Sequence, residues 1–496
     1  MQKQLKNFED KYISHSLSKN LAFFNALFIK DAVLRVRKTE LLSGAECAVL
    51  FMDGMINNEI LGECVLRPML KCRSELRGDA LRDVLQKSIL SVGEVKDEGC
   101  VAELLRAVLY GDSVILIDES SKALIINTKG WRTRGISEPN DERVLQGPRE
   151  GFDEALMLNL AQLRRKLPTP DLCVESLTSG TKTDTKIFLC YLESVADIGV
   201  VNEIKRRVKK IDIDGVLDVN YISEQIRPHR HSLFKTTGTT ERPDIVAARL
   251  LEGRVALLVD GTPVVLTAPY LFCENFQSDD DYYLNYTFAA IGRVLRYICF
   301  FLSVSVPAVF LSLIAYHSYL LPTPLCISIA ESRGGVPFPS YIEGFLLILI
   351  FEILRETGIR MQQSVGHALS IVGGLVVGQA AVEAKLISAP MLIAVSLSCI
   401  CGLTIPRLKS AVLYLRLFLF ALSVLFGLFG YLAGSVFILV RIFSLSSFGT
   451  DYTETLRCFS KQSLKDTVIR APWWKMITRP YGLTKNVIRQ KNGGKN

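Results

Sequence analysis

At 496 residues, with 22% charged residues and yet a mean hydropathy of +0.27, the chain is expected to join a soluble part to a strongly apolar one. Twelve cysteines without a CxxC pair argue against a zinc ladder and read as reduced thiols. The opening MQKQLKNFEDKYISHSLSKN has no apolar core, so no secretory signal peptide is expected, and the formal charge of +8 raises the question of where it sits.

In chain order, LSKNLAFFNALFI (17–29) reads as a short amphipathic helix, AVLRVRK (32–38) as a strand and AVLFMDG (48–54) as a second strand closed by a turn. Residues 56–70 fit a helix. The pattern of a β-favouring run ending in Asp recurs in VLFMDG (49–54), VILIDE (114–119) and VALLVDGTP (255–263); turn capping explains these aspartates better than catalysis does. Helical spacing marks 152–167, stopped by Pro168, then 196–211 and 243–253. Strands alternating with helices imply α/β layers. A break near 133–147 divides the half into subdomains at 1–135 and 136–286.

Candidate chemistry in this half is sparse. SGTKTDTK (179–186) lacks the spacing of a phosphate loop, and GPREGF (147–152) is a turn opening a helix. His229 and His231 form an HxH pair with no further ligands suggested, so a solvated loop is the better reading. No catalytic constellation is visible, so neither an enzyme nor a cofactor or metal site is expected.

The second half, 287–444, reads as a helical membrane domain. YICFFLSVSVPAVFLSLIAYHSYLL (297–321) runs 25 residues without Lys, Arg, Asp or Glu, long enough to span, with Pro307 placed to kink the helix or free a carbonyl. SYIEGFLLILIFEILRETGIR (340–360) has too short an uncharged core to span alone. Glu352, Arg355 and Glu356 share a face, Glu356 can pair with Arg360, and Glu343 lies half a turn away. The expectation is an interfacial or re-entrant helix bordering a polar vestibule made of Glu343, Glu352, Arg355, Glu356 and Arg360.

SVGHALSIVGGLVVGQAAVE (364–383) is the stretch on which function is placed. Ser370, Gly374 and Gly378 fall at four-residue steps and form a ridge for close helix packing. On the other face, Val372 and Val376 suit a pore gate, with Gln379 and Glu383 at its mouth. Residues 386–405 form a further span, and 411–440 is long enough for one tilted helix or a short hairpin. About four spans follow (297–321, 365–382, 386–405 and 411–440). From Arg441 onward eleven Lys/Arg face three acids, a net of 11 − 3 = +8. This basic tail, 445–496, together with Arg293 and Arg296 before the first span, places both soluble ends in the cytoplasm. With a membrane span adjoining the tail, no nucleic-acid partner is expected.

Several strings together resemble one family, the A subunits of GerA-type spore germination receptors: EPNDERVLQGPREGFDEAL (138–156), NLAQLRR (159–165), KKIDIDGVL (209–217), TERPDIVAARLLEGRVALLVDGTP (240–263), DDYY (280–283), FEILRETGIR (351–360), SIVGGLVVGQAAV (370–382) and KDTVIRAPWWKM (465–476). The likeness covers nearly the whole chain. It departs at Lys235-Thr236, Met361-Gln362 and His367, where the family usually has Pro-Gln, Leu-Pro and Gln.

The resemblance implies a multi-pass protein of the spore inner membrane. It would assemble as a homo-oligomer, a pentamer by that likeness, with a transporter-like B subunit that binds nutrient and a lipoprotein C subunit. It would open as a cation channel. Two further readings remain on the residues alone: a transporter-like subunit with Glu352 and Glu356 as ion-coupling carboxylates, or a scaffold whose membrane half is an anchor.

Overall fold

The computed structural model describes residues 8–130, 142, 146–360, 378–457, 465–480, 482–484 and 486–489. Its first sheet holds β1 (Leu34–Glu40), β2 (Glu46–Met52), β3 (Val95–Glu98), β4 (Ser113–Ile117) and β5 (Ala123–Ile126), in the order β1-β2-β4-β5-β3. The second holds β6 (Leu172–Ser179), β7 (Thr185–Leu192), β8 (Gly238–Thr240), β9 (Val255–Val259) and β10 (Val265–Ala268), in the order β6-β7-β9-β10-β8. Every adjacent pair in both sheets is antiparallel.

The two orders are one pattern used twice. In each subdomain a helix precedes the first strand, helical segments separate the second strand from the third, and one helix separates the third from the fourth. The recurring strand–Asp motif at 114–119 and 255–263 therefore marks equivalent strands, β4 and β9.

Alternation along the strands builds three layers in each unit. In β2, Ala48, Leu50 and Met52 face helices α1 (Leu17–Leu27) and α2 (Val101–Leu109). Cys47 and Val49 face Leu61, Val65, Met69 and Leu81 on the other side. In β7, Phe188, Cys190 and Leu192 pack on α3 (Leu156–Lys166) and α6 (Pro243–Leu251). Ile187, Leu189 and Tyr191 pack on α4 (Ile198–Val208) and α5 (Val219–Ile226). The segment at Asp31 bridges the units by pairing with Val174 of β6, and the Asp31 carboxylate meets Arg164 in an ion pair buried on both sides.

The helical half contains α7 (Tyr286–Ala315), a short helix Thr323–Arg333, α8 (Ser340–Arg360), α9 (Ala389–Leu403) and α10 (Lys409–Phe443). Two stretches, Tyr286–Ala315 and Pro406–Phe443, are long and apolar enough to cross a membrane. Their outward faces are apolar too: Ile298, Phe301, Phe426, Phe429, Val436 and Leu439 are all exposed. Apolar groups on the outside as well as the inside suit a hydrocarbon surrounding.

The segment 409–443 is a hairpin. Gly427 has φ +58° and ψ −141°, a backbone conformation reserved for glycine. A Cβ built on Gly434 would lie 2.6 Å from the Leu422 side chain, and the Phe418 and Phe437 rings are 5.9 Å apart. In a straight helix residues 418 and 437 would be about 28 Å apart. Of the two forms the length allows, one tilted helix or a hairpin, the chain adopts the hairpin.

Helix α8 lies along the bundle. Leu347 and Ile348 pack against Leu311, Met391, Val395 and Phe420. A Cβ on Gly344 would come within 2.8 Å of Phe420, so Gly344 lets the helices approach. The apolar run Gly344–Phe351 thereby packs on three neighbours, α7, α9 and α10.

The carboxy-terminal stretch, expected as a basic tail, folds back on the soluble half wherever it is described. Ser446–Ser447 pairs with Thr450–Asp451, Tyr452 O accepts from Phe272 N, and Arg489 pairs with Glu252.

Candidate functional site

Helix α7 carries a proline in its interior, and a proline cannot donate to the carbonyl four residues back. That carbonyl is Ser303 O. It is taken by Arg416 Nε at 2.9 Å and by the Ser398 hydroxyl at 2.6 Å. Arg416 comes from the first arm of α10 and Ser398 from α9, so one unmet acceptor ties three helices together. Arg416 is 2% exposed and also donates to Ser398 O at 3.3 Å and Cys399 Sγ at 3.2 Å. Its nearest carboxylate is Glu352 of α8, at 3.7 Å, and Glu352 is itself held by Arg355.

The residues predicted to form the vestibule divide among three sets of contacts. Glu352 and Arg355, both half-buried, lie beside the buried Arg416. Glu356 and Arg360 form their i,i+4 pair at 2.7 Å on an exposed helix end. Glu343 is wholly buried near the other end of α8, where its Oε1 accepts from the Ser388 backbone N–H and hydroxyl. Its Oε2 has no hydrogen-bond partner among the described residues. A buried carboxyl half-satisfied in this way is costly and constrains what can stand beside it.

Of the glycine-ridged stretch, Ser370, Val372, Gly374 and Val376 lie outside the described residues. A Cβ built on Gly378 would lie 3.8 Å from the Leu392 side chain, an ordinary contact rather than a close helix approach. Gln379 and Glu383 are exposed and bonded to each other at 2.9 Å.

Sequence reasoning missed a second polar centre, where the soluble half meets the bundle. Arg293, fully buried near the start of α7, donates to Asp281 at 3.1 Å and to the Asp466 carboxylate at 2.9 Å. Arg296 pairs with the same Asp281, and the Tyr282 hydroxyl donates to Asp466 at 3.1 Å. Beside them Arg407 pairs with Asp279 at 3.1 Å and donates to the Glu274 and Gln277 carbonyls. Glu142 accepts from Thr240 and the Glu241 N–H; burial, then the Asp279 charge, raises its carboxyl above the usual range. Phe276 stacks on Tyr297 with centroids 4.0 Å apart. The strings DDYY (280–283) and KDTVIRAPWWKM (465–476) were the signal available in the sequence; they supply Asp281, Tyr282 and Asp466 to this junction.

Comparison with known proteins gives a consistent answer. The family described as Bacillus/Clostridium GerA spore germination protein matches residues 22–481. The chain is 38% identical over 483 residues to spore germination protein KA of Bacillus subtilis (strain 168), covering 96% of this chain and 89% of that protein. It is also 38% identical over 480 residues to the uncharacterized membrane protein YfkQ of the same organism, covering 96% and 93%. Among solved structures it is similar to the N-terminal domain of the A subunit of the Bacillus megaterium spore germinant receptor GerK3. That likeness has 30% identity and a TM-score of 0.41, and covers 53% of this chain and 98% of that one.

Proposed function

The chain belongs to the GerA family of spore germination proteins, and on that premise we propose that it is a membrane subunit of a nutrient-sensing germinant receptor. In this reading it resides in the spore inner membrane, works with other receptor subunits and assembles with copies of itself around an ion path. Nutrient binding at a partner biases closed and open packings of the helices, and the path opens.

The observation that carries the reading is the charged set Arg416, Glu352 and Arg355 among apolar helices, with Glu343 buried near the other end of α8. Charge inside membrane helices is costly, and where it occurs it marks a pathway or a moving part. An anchor alone has no use for it. Val372 and Val376 form the gate, Gln379 and Glu383 its polar mouth, and Ser370, Gly374 and Gly378 the ridge on which helices approach each other between copies. Exposure of Gln379 and Glu383 in the single chain supports a role toward water or another subunit.

The arms of α10 run in opposite directions, as do α7 and α9: Cys299 lies near Cys401, Ser303 near Ser398 and Leu311 near Met391. An even number of crossings keeps both soluble parts on the cytoplasmic side.

The test is ion flux through the receptor reconstituted in lipid. Val376→Ala should let ions pass without nutrient. A variant as tight as the unaltered subunit removes this gate.

A further inference from the structure

We propose that the basic cavity between α4 and α5 binds the phosphodiester headgroup of an anionic membrane lipid. The cavity holds about 300 Å³, and five cations line it: Arg206, Arg207, Lys210, Arg227 and Arg230. No carboxylate lines it among the described residues. Glu203, one turn back on α4, accepts from both Arg206 and Arg207, and those hydrogen bonds hold its carboxyl down at about 2. It is therefore charged at every working pH and offsets one of the five cations.

Three of the cations have no carboxylate partner among the described residues, though Arg227 donates to the Ser223 hydroxyl at 3.4 Å. Lys210, Arg227 and Arg230 make no ion pair with any described residue, and Arg227 Nε is buried without a hydrogen-bond partner. Glu203 offsets one of the five, and the remaining like charges repel one another across the concavity, a cost that an entering anion relieves. Guanidinium forks match phosphate oxygens in geometry, which fixes the chemical class of that anion.

Position fixes its source. The Arg207 guanidinium lies 5.4 Å from the centre of the Phe448 ring, in the turn that follows the end of α10 at Phe443. His229 Nε2 is 3.3 Å from the Ser446 hydroxyl. Immediately beyond Arg230, residues 231–234 share a cavity with Tyr414, Phe418, Phe437 and Arg441 of the hairpin. Leu233 stands 46% exposed there. The cations thus sit above an apolar foothold where the last helix leaves its apolar band. A lipid can place its headgroup among the cations and its chains against the hairpin, whereas a free phosphate uses only the first of these. Basic pockets at the cytoplasmic face are the general form of such sites.

The inference requires that the hairpin enters a membrane. It does not require that the subunit conducts, so its failure and the failure of the channel reading are separable. The full chain, purified in neutral detergent, is melted with dioctanoyl phosphatidylglycerol, dioctanoyl phosphatidylcholine or inorganic phosphate at matched concentration. Phosphatidylglycerol should raise the melting temperature saturably, phosphatidylcholine should not, and inorganic phosphate should do so much less. K210Q/R230Q removes two exposed, unpaired cations and should raise the half-saturating phosphatidylglycerol concentration by about thirtyfold, or about fivefold for each single variant. The single variants keep the test standing if the double variant does not fold. Equal shifts from both lipids overturn the proposal, as does unchanged half-saturation in the variants. A full shift from inorganic phosphate overturns it in favour of a soluble anion.

Discussion

Arg293 and Arg416 are both buried, one at the junction of the two halves and one inside the bundle, and they are satisfied differently. Arg293 faces two carboxylates within 3.1 Å, one of them shared with Arg296. Arg416 rests mainly on two carbonyls and a sulfur, with its carboxylate at 3.7 Å and already engaged by Arg355. A group held by several short charge-assisted bonds has one good position. A group held by a carbonyl that a proline set free, and by a carboxylate it shares, can exchange partners at small cost. The difference suggests a fixed coupling at the junction and a movable element in the bundle.

Four changes bear on that contrast, and equilibrium unfolding of the detergent-solubilised chain measures each. Asp281→Ala leaves Arg293 with Asp466 and Arg296 with only the Phe276 carbonyl, and should cost about 3–5 kcal/mol, the range for breaking a buried pair from one side. A cost below about 1 kcal/mol would mean that the junction is not a rigid coupling. Gly427→Ala forces a Cβ to 3.0 Å from the Tyr316 ring at a positive φ and should cost about 2–3 kcal/mol. A neutral result would contradict the tight reversal of the hairpin.

Arg416→Met keeps volume and leaves Glu352 with Arg355, so it should cost only about 1 kcal/mol. A loss matching that of Asp281→Ala would erase the contrast between the two arginines. The smallest effect is a pH dependence. Because the folded carboxyl of Glu142 is raised, its stabilising contribution is full below the unfolded value of about 4.3 and is lost as pH rises through the folded value. Glu142→Gln should therefore flatten the stability profile between about pH 4 and neutrality. One proton is involved, which limits the change in slope to about 1.4 kcal/mol per pH unit. A variant that loses stability more steeply than the unaltered chain as pH rises would show instead that the Arg407 charge governs Glu142.

Much of the soluble half was legible because its signals are local. Alternation in AVLRVRK, the stop at Pro168 and the turns after the recurring aspartates each depend on a few neighbouring residues. The repeated sheet order was not legible, since strand order depends on contacts far apart in sequence. In the bundle, the freed carbonyl at Pro307 could be anticipated from the proline alone, but its takers, Arg416 and Ser398, lie about a hundred residues away. In the sequence Arg416 is only a charge near the start of a span. Helical phase says which of Glu343, Glu352, Arg355, Glu356 and Arg360 share a face, not what the opposing helix offers, so Arg416 beside Glu352 and Ser388 beside Glu343 were not legible. The sequence left 411–440 open between one tilted helix and a hairpin; in the fold Gly427 takes the turn, and Gly430 and Gly434 let the arms meet.

The most direct test of the account is the conductance of the receptor reconstituted in lipid, recorded before and after nutrient is added, with this subunit present and then omitted. The expected result is a nutrient-dependent conductance that disappears when this subunit is left out. Nutrient-dependent conductance that persists at full size without it would contradict the assignment of the ion path to this chain.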